Sequence, residues 1–312
     1  MMNTIDLQIQ STASDGKHTP REIAAMARDL KLSAIALTDH DTVEGVHEIL
    51  STEKEYGIRV ISGIEISIEE YGLHLLGYGI DYKNEELRAS LARAAEDRIG
   101  GAKQMVENLK NAGFKIEWAD VMREATGAVV ARPHIARAIL ARPENKEKLA
   151  GIATVHDFIE AHLSNESPHY VRRARIGARH AIALMHRAGG VAVWSHPAIH
   201  FRDNADKLET FLRQLKEWDI DGIEVFNPSH TEDDVELLQG LASKYRLLRT
   251  AGSDFHEKGE HAADPVSGLH SARTLADFET YGFAIDDIMP RLDEAMAQRR
   301  KDLETAPTPP AN

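Results

Sequence analysis

Short apolar runs that stop abruptly at ionisable residues recur along this chain. The clearest is Ala34-Ile35-Ala36-Leu37, which runs into Thr38-Asp39-His40-Asp41. Such a run is the pattern of a parallel strand covered on both faces, and in those sheets the chemistry gathers just beyond the strands' carboxyl ends. Ile5-Asp6-Leu7-Gln8-Ile9-Gln10-Ser11 instead alternates with period 2, which puts Asp6, Gln8 and Gln10 on one face of a first strand. Ser33 to Thr38, Ile58 to Ser67 and Leu73 to Asp81 read as the next three strands, the last two carrying Glu65 and His74. Thr19-Pro20-Arg21-Glu22 is a helix start, with Thr19 as cap, Pro20 in the first turn and Glu22 three residues past the cap. A second helix, Val43 to Tyr56, is expected to stop at Gly57.

The rhythm changes after Asn84. Leu87, Leu91, Ala94, Ala95, Ala102, Met105, Val106 and Leu109 recur at helical spacing, so Glu85 to Asn111 reads as one long amphipathic helix. Shorter helices follow near Trp118 to Thr126, Pro133 to Ala141 and Thr154 to Leu163. The α/β alternation then resumes: helix Gly177 to Ala188, strand Val191 to Pro197, helix Asn204 to Trp218, strand Gly222 to Phe226, helix Glu232 to Tyr245 and strand Leu247 to Ala251. That makes seven strands. The expected organisation is a discontinuous barrel, 1–83 with 165–285, interrupted by a helical insertion, 84–164, and followed by a C-terminal helix, 286–304, and a proline-rich, disordered tail, 305–312.

Composition narrows the chemistry. The chain has 312 residues, of which 42% are hydrophobic, enough for a sizeable core. It has no cysteine, which excludes disulfides, thiolate zinc sites and cysteine nucleophiles, so any metal is held by imidazole, carboxylate or amide oxygen. The formal charge of -13 argues against duplex DNA as partner. No stretch approaches the roughly 18 apolar residues of a membrane span, and the start lacks a signal-peptide pattern, so a cytoplasmic protein without membrane partners is expected.

Asp15, His40, Glu65, His74, His196, Asp254 and His256 all fall at or just after the predicted carboxyl end of a strand. In an α/β barrel those ends converge on one rim. Any one of the seven taken alone is as readily a capping or core residue; together they read as a centre for divalent metal. Mixed imidazole and carboxylate suits Zn²⁺, Mn²⁺ or Fe²⁺, with Mg²⁺ as a harder alternative, and a central carboxylate such as Glu65 can bridge two ions.

The sequence resembles the PHP (polymerase and histidinol phosphatase) superfamily, in its branch of 3′,5′-nucleoside bisphosphate phosphatases and 5′-3′ exoribonucleases. The resemblance rests on Asp6-Leu7-Gln8-Ile9-Gln10-Ser11 with Ser14-Asp15-Gly16, Leu37-Thr38-Asp39-His40-Asp41, Gly63-Ile64-Glu65-Ile66-Ser67 and His74-Leu75-Leu76-Gly77. It continues through Arg132-Pro133-His134-Ile135-Ala136-Arg137, Ser195-His196-Pro197 and Gly252-Ser253-Asp254-Phe255-His256. It implies an α/β fold, a distorted seven-stranded (β/α)7 PHP-type barrel with a helical insertion, that holds two or three divalent ions and hydrolyses phosphate esters by attack of a metal-bound hydroxide. By the same resemblance Glu65, His74 and His196 hold one ion, Asp15, His40 and His256 another, and Asp254 joins Glu65 at a third.

One departure stands out. Where the family carries Asp-x-His-x-His on the first strand, this chain has Gln8 and Gln10, whose neutral amides are weak ligands for Zn²⁺ and tolerable ones for Mn²⁺ or Mg²⁺. Three outcomes follow, in order of expectation: a two-metal enzyme, a three-metal enzyme with an oxygen-rich first site, or a protein that binds nucleotide or phosphate without cleaving it. The expected substrate is a small phosphorylated nucleotide or the phosphorylated end of a short single-stranded RNA, with amide hydrolysis as the rival chemistry. Arg132 and His134 at a helix start are candidate phosphate-binding groups, with Arg172, Arg173 and Arg175 adding local charge. His196, Asp254 and His230 are the candidate catalytic residues, His230 as a phosphate donor or acid. His18, His47, His156, His162, His169, His180, His186 and His200 are expected to be surface residues, while His261 and His270 have no assigned place.

Overall fold

A computed structural model of the chain describes residues 4–125, 130–171, 176–202, 204–259 and 272–305. Arg172, Arg173, Arg175, His261, His270 and the tail from 306 onward therefore lie outside the described residues. The chain divides into two compact units, Met1–Ala89 with Ile176–Asn312, and Ser90–Arg175. The division falls inside the helix Glu85–Asn111, which begins in the first unit.

The first unit is built on one seven-stranded sheet in sequence order: β1 (Ile5–Asp6), β2 (Ala34–Leu37), β3 (Arg59–Ser67), β4 (His74–Tyr78), β5 (Val191–Trp194), β6 (Gly222–Phe226) and β7 (Leu248–Ala251). Backbone hydrogen bonds from Leu7 N to Ala251 O (3.0 Å) and Gln10 N to Phe255 O (2.9 Å) bring the last strand against the first, so the sheet nearly closes on itself. A Cβ at Gly252 would lie 2.4 Å from Gln8 Cβ, and this closure accordingly requires glycine. Strands β2, β5 and β6 are buried along their whole length, which is why their sequences are uninterrupted apolar runs apart from Glu224.

All neighbouring strands are parallel except that β4 runs antiparallel to both β3 and β5. This changes the expected position of His74. It stands at the amino end of its strand, and the reversed direction is what returns it to the rim, beside Ser67 at the end of β3. Glu65 likewise lies within β3, which outruns β2: Glu65 N donates to Asp39 O (3.1 Å) and Asp41 N to Glu65 O (2.8 Å), fastening His40 alongside.

The helices follow the local signals. Thr19 caps the helix Pro20–Asp29, its backbone N–H donating to Glu22 (2.8 Å) in a capping box. The expected helix from Val43 to Tyr56 is two, Val46–Ser51 and Glu53–Tyr56; buried Thr52 hydrogen-bonds the Ile49 carbonyl (2.6 Å), which competes with the helix ladder, and Gly57 ends the pair at φ 67°. The second unit packs Met105, Leu109, Phe114, Val121, Ile135, Ile139, Phe158 and Leu163 into a core of its own. No helix among the described residues is long and apolar enough to cross a membrane.

Candidate metal centre

The rim is assembled from turns that leave strands under backbone constraint. His196, just past β5, has φ 30°, and Asp254, just past β7, has φ 52°; both are in the left-handed region that non-glycine residues enter at a cost of about 1–3 kcal/mol each. Surrounding hydrogen bonds hold them there. Ser253 donates to Asp6 from its backbone (2.9 Å) and hydroxyl (2.5 Å), Ala276 N donates to the same carboxylate (2.7 Å), and His196 N donates to Glu224 (2.9 Å). Asp39, buried beneath the β1 loop, accepts from Ser11 N (2.7 Å), Ser11 Oγ (2.8 Å) and Ser14 Oγ (2.6 Å), so it sets the course of the loop that presents Asp15.

Two sets of ligand-type atoms converge. Asp15, His40 and His256 each offer one within 4.8 Å of the others, and so do His40, Glu65 and His74. His74 Nδ1 is 3.0 Å from Glu65 Oε1, His196 Nε2 is 3.3 Å from the same oxygen, and His40 Nδ1 is 3.8 Å from Oε2. His256 Nε2 stands 3.5 Å from Asp15, and its Nδ1 is committed to the Asp254 carbonyl (2.7 Å), which leaves Nε2 as the ligand atom. His40 Nδ1 and Asp254 Oδ1 are buried with no hydrogen-bond partner among the described residues. A buried polar atom left so costs about 1–3 kcal/mol, and a group that supplies a bond offsets this.

The charges point the same way. Burial opposes the His40 cation, yet Glu65, Asp15, Asp254 and Asp41 outweigh it and raise this imidazole to about 9. Burial likewise opposes the charge on Glu65, but His40, His196 and His74 hold its carboxyl well below the ordinary range. The rim thus carries negative charge that a proton or a divalent ion must balance. Its imidazole and carboxylate donors fit Zn²⁺, Mn²⁺ or Fe²⁺.

The other candidates are each held by protein partners. His230 is buried, and its Nδ1 hydrogen-bonds the Val225 carbonyl (2.8 Å); that bond makes Nε2 an acceptor, and burial lowers the ring to about 4, so it is neutral and not an acid in this arrangement. Arg132 and His134 belong to the helical unit, where Arg132 Nη1 donates to Leu163 O (3.0 Å) and Asn165 Oδ1 (3.2 Å) and His134 Nδ1 accepts from Ala131 N (3.0 Å). Several histidines expected at the surface have partners: His18 stacks on Phe255, His47 Nδ1 pairs with the Tyr82 hydroxyl (3.0 Å) and His169 lies beside His162. His162 packs against Phe114 and Phe158, His186 bonds Asp221 (2.8 Å), and His200 lies 6.3 Å, ring to ring, from His196. Ser195, in the Ser195-His196-Pro197 motif, and Glu224 and Asn227 have no role assigned from the sequence, and all three are buried. A glutamate inside the apolar run of β6 was the available signal, and Asn227 lies in the same short segment as His230.

The PHP domain model matches residues 6–218. The chain belongs to the PHP family. It is 30% identical over 266 residues, 84% of this chain and 90% of the relative, to a 3′,5′-nucleoside bisphosphate phosphatase of Chromobacterium violaceum. It is 29% identical to a 5′-3′ exoribonuclease of Haemophilus influenzae, over 82% of this chain and 91% of that one. Among solved structures, a chain from Bifidobacterium adolescentis assigned as a metal-dependent phosphoesterase superposes with TM-score 0.70 at 28% identity, covering 94% of this chain and 96% of that one. An amidohydrolase from Chromobacterium violaceum, with bound sulfate and no metal, superposes with TM-score 0.70 at 27% identity over the same shares. The PHP membership makes this chain a metal-dependent hydrolase of phosphate esters on a nearly closed seven-stranded barrel.

Proposed function

We propose that this PHP protein hydrolyses phosphate monoesters of small nucleotides of the 3′,5′-bisphosphate type, or acts at the phosphorylated end of short single-stranded RNA. The observation that carries the reading is the convergence of Asp15, His40, His256, Glu65 and His74 on one rim, where His40 Nδ1 is buried with no hydrogen-bond partner among the described residues. In this reading Asp15, His40 and His256 hold one divalent ion, and Glu65, His74 and His196 a second. When bound, the ions neutralise charge on phosphate oxygens and make a coordinated water acidic enough to ionise near neutral pH. The protein's own part is placement: backbone bonds through Asp6, Asp39 and Glu224 fix the ligands before substrate arrives. The reaction adds water across one P–O bond: a monoester gives inorganic phosphate and an alcohol, and the terminal diester of an RNA gives a nucleotide and the shortened chain.

The names carried by the Chromobacterium and Haemophilus relatives support nucleotide and RNA-end substrates, and sulfate in the Chromobacterium structure supports a tetrahedral anion as ligand. Arg132 and His134 are our proposed phosphate-binding groups within the helical unit. The rival, amide hydrolysis, is the activity named for that same Chromobacterium structure. A parallel assay on Mn²⁺-loaded protein separates the two: phosphate release from adenosine 3′,5′-bisphosphate and nucleotide release from 5′-phosphorylated oligoribonucleotides, beside hydrolysis of an N-acyl substrate panel. Phosphate or nucleotide release with inert amides is expected; amide turnover with neither overturns the reading.

A further inference from the structure

The β1 side of the rim is filled by an amide network whose orientation can be read from its end. Ser229 N can only donate, and it donates to Asn227 Oδ1 (3.0 Å), so Asn227 Nδ2 is the donor that reaches Gln8 Oε1 (3.2 Å) and Glu224 Oε2 (3.1 Å). Gln8 Oε1 is therefore an acceptor, and Gln8 Nε2 turns toward Glu65 Oε2 (3.0 Å) and Ser195 Oγ (3.0 Å). Gln10 Nε2 donates to the same Glu65 oxygen (2.7 Å), and Ser195 Oγ donates to Glu65 Oε1 (3.0 Å). Glutamines 8 and 10, Ser195 and Asn227 are all buried.

We infer that this amide web takes the place of an ion on the β1 side, so that the rim binds two divalent ions, and that Gln8 and Gln10 are positioning residues which hold Glu65 for its neighbours. An ion beside Gln8 would need oxygen donors. Gln8 Oε1 is committed to Asn227, and Glu65 Oε2 already receives two N–H bonds. Those two N–H dipoles balance Glu65 from the side where a cation would otherwise stand, and they aim Oε1 at His74 and His196. The inference rests on the proposed reading of the rim as a metal centre.

The test is a titration of chelator-stripped, full-length protein with Mn²⁺ by calorimetry, with elemental analysis of the gel-filtered product. The parent is expected to take two ions per chain, and Gln8→His/Gln10→His three, because both side chains already point at Glu65 from one strand face. Gln10→Leu, a single change that serves if the double variant fails to fold, is expected to keep two ions but bind them about tenfold or more weakly. Three ions on the parent, two on a folded double variant, or unchanged Mn²⁺ affinity in Gln10→Leu overturns the inference while leaving the metal centre in place. No bound ion on the parent overturns the metal-centre reading itself, and this inference with it.

Discussion

On one side of the rim, His40 leaves Nδ1 buried without a hydrogen-bond partner among the described residues; on the other, Gln8 hydrogen-bonds Ser195, Asn227 and Glu65, and Gln10 hydrogen-bonds Glu65. The amides are fully buried, and the unpartnered His40 Nδ1 is itself closed off from water although the His40 side chain is 17% exposed. What differs is satisfaction. Each unpartnered atom subtracts about 1–3 kcal/mol from a stability that totals only about 5–15, whereas the amide web contributes to it. A divalent ion bound at His40 would supply the missing bond. Glu65 belongs to both sides, its Oε1 turned to the histidines and its Oε2 also held by the amides.

The comparison breaks most sharply on the unsatisfied side. His40→Ala or Asp254→Ala is expected to lower phosphate release by more than about 100-fold, since each removes a proposed metal-ligating or catalytic group. Steady-state rates with Mn²⁺, read beside the metal content, check this; near-parental rates at unchanged metal content would falsify the site. On the satisfied side the balance reverses. Asn227→Leu deletes the donor to Gln8 and Glu224 and the acceptor of Ser229 N, so the metal-free protein should lose about 2–4 kcal/mol in a urea melt, with a smaller loss of activity than His40→Ala. A variant as stable as the parent would show that the web contributes nothing.

The smallest effect is expected far from the rim. Asp221 accepts from Ala192 N (2.7 Å), His186 (2.8 Å) and Arg299 (2.6 Å); burial opposes its charge, but His186 and Arg299 outweigh it and hold its carboxyl below the usual range. A depressed carboxylate contributes stability that is present above its unfolded pKa, near 4, and is lost as pH falls through its folded value. Asp221→Asn should therefore cost about 2 kcal/mol at pH 7, with the gap to the parent closing as pH drops below about 4, and should leave metal content unchanged. Melts across pH would show it; a pH-independent gap would contradict the assignment.

Much of this was legible from pattern. Uninterrupted apolar runs marked the buried strands, Thr19 with Glu22 marked a helix start, and histidines and carboxylates at strand ends marked the rim, because all these signals are local. The direction of β4 was not legible, since apolar pattern is the same read either way and only pairing with β3 and β5 decides it. Nor was the state of Gln8 and Gln10. Alternation places both on the inner face, but whether the Gln8 amide presents oxygen or N–H depends on Asn227 and Ser229, more than 200 residues further along, and the Gln10 amide is set by Glu65. The split at Thr52 escaped because it turns on one buried hydroxyl finding the Ile49 carbonyl.

The most direct test of the two-sided rim is anomalous diffraction at the manganese edge from crystals of the full-length chain grown with Mn²⁺. One peak is expected among Asp15, His40 and His256 and a second among Glu65, His74 and His196. A peak within coordinating distance of Gln8 or Gln10, or no peak at the rim, would contradict it.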